Sequence, residues 1–277
     1  MKKETSPFVS LIIPTYMRED LLVQTLECAI NQEYTNYEII VIDQTPAHSQ
    51  NTIDFLHSVR RKIKLIPSSP PSVTAARNTG VRAARGEIIV FIDDDTSFSS
   101  DFLQNHVENY KKKCDFVQGR IIEKGCKDYP KPVWLSRLGN FSGSDFCTRD
   151  GITNNITGCN FSFRRSMFDA LGGFDEFFQG IAVCEDSDFA YRAYKKGFKG
   201  CFSSRAVLTH HRSDTGGVGH GIENQYFDLG FYRNKLYFYR KNFSYPVYIY
   251  QKIRFFGKGI RRFIRLFRQA AREANKP

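Results

Sequence analysis

The chain has little of what a membrane-spanning or disulfide-framed protein requires. Its longest apolar runs, such as Ile88 to Ile92, fall far short of the ~18 residues that span a bilayer as a helix. The charged start, Met1 to Pro7, leads only into a short apolar stretch broken by Pro14, too little for a signal-peptide core, so the protein is expected in the cytoplasm. No Cys-x-x-Cys pair occurs, and the seven cysteines are odd in number. That excludes a zinc ribbon and argues against a disulfide framework, leaving reduced, mostly buried thiols as the expectation. There is no internal repeat and no low-complexity linker. Acid is almost missing from residues 233 to 277, which hold 13 Lys+Arg against Glu273 alone, whereas residues 1 to 232 are close to neutral at −1. The net charge of +11 is thus a property of one basic tail.

What is present is an ordinary globular composition over 277 residues, 41% hydrophobic and 25% charged. This length suits one large domain or two small ones. Short Ile/Val-rich runs at Val9 to Ile13, Glu38 to Ile42, Lys64 to Ile66 and Glu87 to Ile92 read as buried strands. Helical spacing separates them, in Leu21 to Ile30, in Ile53, Leu56 and Val59, and in Ser72 to Ala84. The order β-α-β-α-β-α-β implies an α/β fold with a mostly parallel central sheet and helices on both faces. The rest is more irregular: a loop-rich stretch from Cys126 to Asn155, a strand around Cys159 to Phe163, a helix from Glu185 to Lys196 and a strand near Ala206 to Thr209.

Ligands of such sheets bind beyond the carboxyl ends of the strands. Pro14, Thr15, Tyr16 and Arg18 follow the first strand, Asp43 and Gln44 the second, and Asp93, Asp94 and Asp95 the fourth. Three adjacent carboxylates repel one another unless a cation or hydrogen-bond donors offset their charge. A hard divalent ion, Mg²⁺ or Mn²⁺, with a diphosphate is the natural partner. Glu185, Asp186 and Asp188 open a helix, where the macrodipole favours carboxylates. One of them could take the proton of an acceptor hydroxyl. His210 and His211 follow another apolar strand, and either could be a metal ligand.

Ser10 to Tyr16 (SLIIPTY), Tyr37 to Asp43 (YEIIVID), Ala76 to Gly80 (ARNTG) with Gly86 to Asp95 (GEIIVFIDDD), Thr157 to Arg165 (TGCNFSFRR) with Gly172 to Asp175 (GGFD), and Glu185 to Asp188 (EDSD) carry a resemblance. In order and spacing, over roughly residues 8 to 240, they resemble family 2 glycosyltransferases of the GT-A fold. The resemblance implies an inverting enzyme that uses a nucleotide-diphosphate sugar and a divalent metal. It implies Asp95 and His210 as metal ligands, Asp94 on the ribose or diphosphate side, and Asp186 as the base. Pro14, Thr15, Tyr16, Asp43, Gln44, Arg77 and Asp93 fall on the donor side, and Gly158, Glu185 and Trp134 on the acceptor side. The expected layout is a glycosyltransferase domain over 1–240, with a nucleotide-sugar half over 8–125 and an acceptor half over 126–240, followed by a tail over 241–277.

Gln44 stands where relatives commonly have a second Asp, and Cys184 where they often have Gly, so that the thiol could narrow the acceptor side. Gly216 to Gly221 does not follow a strand, so it reads as a loop near the donor rather than a dinucleotide fingerprint. Trp134 fits a sugar-stacking platform or a core anchor. Nucleic-acid binding is an alternative that the basic tail allows, but clustering in one tail without an RNA-binding strand or finger spacing argues for no nucleic acid. A sugar nucleotidyltransferase would want a glycine-rich loop after the first strand, where Pro14, Thr15, Tyr16 and Met17 stand. Finally, Tyr250, Ile253, Phe256, Ile260, Phe263, Ile264, Phe267 and Ala271 recur at steps of three and four among Lys and Arg. Such a basic amphipathic helix suits the anionic inner face of a membrane, where the acceptor would be a glycan or lipid-linked sugar.

Overall fold

The computed structural model describes residues 6–180, 182–212, 216–217 and 229–257. Strand β1 (Val9–Thr15) is followed by α1 (Asp20–Ile30), β2 (Tyr37–Asp43), α2 (Gln50–Val59), β3 (Ile63–Pro67), α3 (Val73–Ala83) and β4 (Ile88–Ile92). This is the alternation expected from the sequence, with Ser72 capping α3 by accepting the Ala75 N–H. The four strands lie parallel in the order β3-β2-β1-β4. Both faces are covered. In β4, Ile88, Val90 and Ile92 point into one core while Ile89 and Phe91 point into the other. That two-sided burial is why these strands read as continuous apolar runs. From β1 the chain steps outward to β2 and β3 and then returns to β4 on the other side. The β1/β4 junction is therefore a topological switch point, and the crevice beyond it is where a ligand fits.

The second half adds β5 (Thr96–Phe98), α4 (Phe102–Lys111), β6 (Phe116–Ile122), β7 (Trp134–Leu135), β8 (Phe141–Ser142), β9 (Gly151–Thr153), β10 (Asn160–Arg164), α5 (Arg165–Leu171), α6 (Glu185–Lys195), β11 (Gly200–His210) and α7 (Leu229–Asn242). Strand β10 inserts antiparallel between β4 and β6, and β11 runs parallel to β6. Of these, β10, α6 and the end of β11 were expected, whereas α4, β6, α5 and α7 were not. Strand β6 escapes an apolar-run search because Gln118, Gly119 and Arg120 interrupt it. Gly119 is needed there, since a Cβ would fall 2.4 Å from the Asn160 side chain on the next strand. Gln118 is fully buried and accepts the Thr157 N–H, so its polarity is used inside the fold.

Two expectations change here. Cys114 and Cys201 are joined as a disulfide, their Cα atoms 5.9 Å apart, because the parallel pairing of β6 and β11 brings the two strand beginnings together. No spacing motif marks this pair, so counting cysteines in sequence could not find it. Cys147, Cys159 and Cys184 are buried free thiols as expected, but Cys126 is exposed. The apolar stripe of the basic tail enters the described region as the helical residues 245–257, and the remainder of the stripe, from Ile260 onward, lies outside the described residues. This helix turns Gln251 inward, onto the Leu138 carbonyl and Asn140, and stacks Phe255 on Phe231. Among the described residues, no helix is long and apolar enough to cross a membrane.

Candidate active site

The crevice beyond β1 and β4 is an open cleft of about 150 Å³, lined by Pro14, Thr15, Tyr16, Arg18, Gln44, Val73, Arg77, Asp93 to Asp95, His210 and Gly217. Asp94 faces inward. Its Oδ2 accepts the Thr15 hydroxyl at 2.7 Å and the Tyr16 N–H at 3.4 Å, while Arg18 approaches Oδ1 at 3.3 Å. Burial nevertheless lifts the Asp94 carboxyl to about 7. Arg18 also reaches Asp95 at 3.1 Å, so one guanidinium offsets two of the three charges. Gly217 donates its N–H to the Tyr16 carbonyl at 2.7 Å, which sets this part of the glycine-rich segment against the cleft wall after β1.

Asp93, Asp95 and His210 converge, with ligand atoms all within 4.8 Å of one another. His210 presents Nε2 to Asp95 Oδ1 at 3.2 Å and to Asp93 Oδ2 at 4.0 Å. Two carboxylates and an imidazole make a donor set suited to Mn²⁺ or Mg²⁺. The residues present fit such an ion. Asp93, expected on the donor side, joins the metal trio, and the choice between the two histidines is made by strand geometry. His210 pairs opposite Thr96 and faces the carboxylates, whereas His211 turns to the Ser97 hydroxyl. Burial opposes the imidazolium, but Asp95, Asp93 and Glu123 outweigh it and raise His210 to about 9.

Beside this trio stands a second carboxylate group at the start of α6. Asp186 accepts the Gly158 N–H at 2.9 Å and the Ser187 N–H at 2.6 Å, and burial raises its carboxyl. Glu185 is buried and paired with Arg77 at 2.9 Å. The Arg77 guanidinium lies over the rings of Phe91, Phe161 and Phe174 at 6.0, 5.5 and 5.5 Å. Burial, with Asp186 next to it, pushes Glu185 up to about 8. Arg77 lines the cleft and abuts Gly158, whose N–H Asp186 accepts, so it connects the cleft to Asp186.

Residues 10–172 match the family described as glycosyl transferase family 2. The chain belongs to that family. The enzyme is a glycosyltransferase, and its mixed α/β sheet is of the GT-A type. It is 26% identical over 236 residues to the amylovoran biosynthesis glycosyltransferase AmsB of Erwinia amylovora, covering 79% of this chain and 75% of that protein. It is 33% identical over 206 residues to the uncharacterized glycosyltransferase EpsJ of Bacillus subtilis, covering 69% of this chain but 57% of that one. Among solved structures, GalNAc-T7 with UDP, GalNAc and Mn²⁺ superposes with a TM-score of 0.66 at 16% identity, over 86% of this chain and 50% of that one. The mannosyltransferase PcManGT of Pyrobaculum calidifontis, in complex with GDP-Man and Mn²⁺, gives 0.59 at 18% identity, over 86% and 64%.

In this glycosyltransferase the remaining sequence candidates take different places. Asp43 ends β2 with its oxygens engaged by the Thr45 N–H and by His48. Gln44 is buried and accepts the Ser72 N–H at 2.5 Å, holding the start of α3 against the cleft. Trp134 is half-buried and meets Tyr194 edge-on, near the end of α6 remote from Asp186. Cys184 occupies a left-handed backbone position, φ 73°, a conformation that favours glycine, and it is buried in the cluster of Leu135, Phe178 and Phe238. Asp188 is fully buried and bound by Arg192, Lys241 and Asn242, which makes it a tie between α6 and α7. Sequence reading missed Glu123, which follows β6 and meets His210. It also missed Asp145, which accepts the Thr157 hydroxyl.

Proposed function

We propose that this enzyme moves a sugar from a nucleotide-diphosphate donor to a hydroxyl of a glycan or lipid-linked acceptor, with inversion, in the assembly of a surface polysaccharide at the inner face of a membrane. The observation that carries the proposal is the convergence of Asp93, Asp95 and His210 on the cleft that holds the Thr15–Asp94 pair, with Asp186 reached through Arg77 and Gly158. Mn²⁺ or Mg²⁺ held by Asp93, Asp95 and His210 would offset the charge that develops on the departing diphosphate. Arg18 and Arg77 bring fixed positive charge to the same side, and Asp94 with Thr15 orients the ribose or diphosphate. Asp186 takes the acceptor proton as the acceptor oxygen bonds to the anomeric carbon and the bond to the diphosphate breaks. Attack from the face opposite the leaving group inverts that carbon. The UDP, GalNAc and Mn²⁺ bound to GalNAc-T7 and the GDP-Man and Mn²⁺ bound to PcManGT support the donor class, and the likeness to AmsB, an amylovoran biosynthesis glycosyltransferase, supports a polysaccharide role.

The membrane part rests on the 245–257 helix. Its inward face is Gln251 and Phe255, while Tyr250, Ile253 and Phe256 are 47%, 68% and 48% exposed. Those three belong to the apolar stripe flanked by Lys252 and Arg254, so the stripe faces away from the body. An exposed apolar row beside cationic side chains complements an anionic bilayer surface. A panel of nucleotide sugars tested for metal-dependent binding and hydrolysis identifies the donor and tests the whole reading. Asp95→Asn is expected to abolish transfer and Mn²⁺ binding with the fold intact. Full activity of that variant, or of the parent in excess chelator, overturns the assignment.

A further inference from the structure

Strands β6 and β11 run parallel with Ile122 level with Thr209, so the residues that follow, Glu123 and His210, come side by side. Glu123 Oε1 lies 2.9 Å from His210 Nδ1. Its other oxygen takes Arg212 Nε at 2.7 Å and the Cys126 thiol at 3.6 Å. The carboxylate is almost wholly buried, with 7% of its side chain exposed. Burying a carboxylate is costly, and it is retained here against the one imidazole that faces Asp93 and Asp95. An ionised carboxylate can only accept, and a neutral imidazole carries one N–H. When a cation takes the place of the proton on Nε2, Glu123 retains the one on Nδ1, and the Nε2 lone pair is then directed at the ion between the two aspartates.

We infer that Glu123 is a positioning residue of the metal centre, fixing the tautomer and ring direction of His210 so that Nε2 is available to a divalent cation. The inference rests on the metal reading proposed above. Outer carboxylates of this kind raise the basicity of the liganding imidazole, and their loss weakens metal affinity by ~10- to 100-fold. The purely structural alternative is that Glu123 serves only to anchor Arg212. That pair is worth little, because the Arg212 side chain is 70% exposed.

The test is Mn²⁺ titration of the full chain, followed by electron paramagnetic resonance of the free ion, with no sugar nucleotide present. Glu123→Gln is expected to weaken Mn²⁺ binding by ~10-fold or more. In a His210→Ala background the same change is expected to add nothing, because Glu123 acts through that ring. Unchanged affinity in Glu123→Gln, or an equal loss without His210, overturns the inference while leaving the metal site standing. Failure of the parent to bind Mn²⁺ overturns both. A measurement that needs no variant is the ¹⁵N spectrum of His210 in the Mg²⁺-loaded parent. Protonated Nδ1 and unprotonated Nε2 are expected, and the reverse tautomer refutes the inference.

Discussion

Gly158→Ala is the substitution whose cost follows most directly from geometry. A Cβ at Gly158 would lie 2.3 Å from Arg77 Nη2 and 3.4 Å from its Cζ. Usually the end of an arginine moves aside cheaply, but this one is boxed in, with its side chain 4% exposed and paired to Glu185. It also lies over three phenylalanine rings. Relief of about 1 Å must come from the guanidinium, at the expense of that pair. Breaking a buried pair costs ~3–5 kcal/mol, and loss of a desolvated ring contact costs up to ~2 kcal/mol. A partial shift should therefore destabilise the fold by ~3 kcal/mol. At ~2.1 cal/mol/K of unfolding entropy per residue over 277 residues, that lowers Tm by about 5 °C. Thermal unfolding followed by circular dichroism measures it, and the same change in an Arg77→Met background isolates the cause. There the added cost should fall below ~1 kcal/mol, because the obstructing atom is gone. A Tm within about 1 °C of the parent, or an equal loss in both backgrounds, refutes the account.

Asp186→Asn retains shape but cannot take a proton, so donor affinity is expected to persist while turnover drops by ~10²-fold or more; loss of donor binding in calorimetry would instead make Asp186 a helix-end structural group. Replacing Ile253 and Phe256 by Ser should leave Tm unchanged and release the protein from anionic vesicles in co-sedimentation at low salt, and undiminished vesicle binding removes the membrane reading. Asp145 is pushed up to about 6 by burial from an ordinary 3.8, so the folded state holds more protons than the unfolded state between about pH 4 and 6. Stability from this group is present below that window and lost as pH rises through it. Relative to the parent, Asp145→Asn should gain up to ~3 kcal/mol across that range in denaturant titrations, whereas a difference independent of pH refutes the assignment.

The parts of the fold legible in sequence are those where both faces of a strand are buried. Stretches such as Leu11 to Ile13 of β1, Ile39 to Ile42 of β2 and Ile88 to Ile92 of β4 hold no polar residue to confuse the pattern, and the residues that follow them became the cleft. What was illegible is polar burial. Gln118, Asn160, Ser162 and His106 lie wholly inside, where His106 bonds Ser162 and Asn160, and burial lowers it to about 4. A core held by such bonds interrupts the apolar pattern, so β6 and α4 went unread, and Glu123 with them. The acidic triplet and the late histidine needed no structure to be noticed, and the direction of β11 adds that His210 faces the carboxylates while His211 turns to Ser97. Trp134 stands on the other side: a lone tryptophan in a loop-rich stretch fits a sugar platform or a packing anchor, and the structure adds an edge-on contact with Tyr194.

The tie at Asp188 decides where this polypeptide can be divided. The expected layout parts body from tail at residue 240, yet α7 continues to Asn242. Lys241 and Asn242, the two residues just beyond that line, hold Asp188 at 2.8 and 2.7 Å. Lys241 also holds Asp175 at 2.7 Å. A chain ended at 240 would leave Asp188, two residues along the helix from Asp186, with Arg192 as its remaining side-chain cation. The acid nearest the proposed chemistry would then sit on a helix whose own internal charge had lost two of its three side-chain partners. A shortened enzyme should therefore keep everything through Phe243, and end in the break before the 245–257 helix, where the chain leaves α7 without severing that cluster.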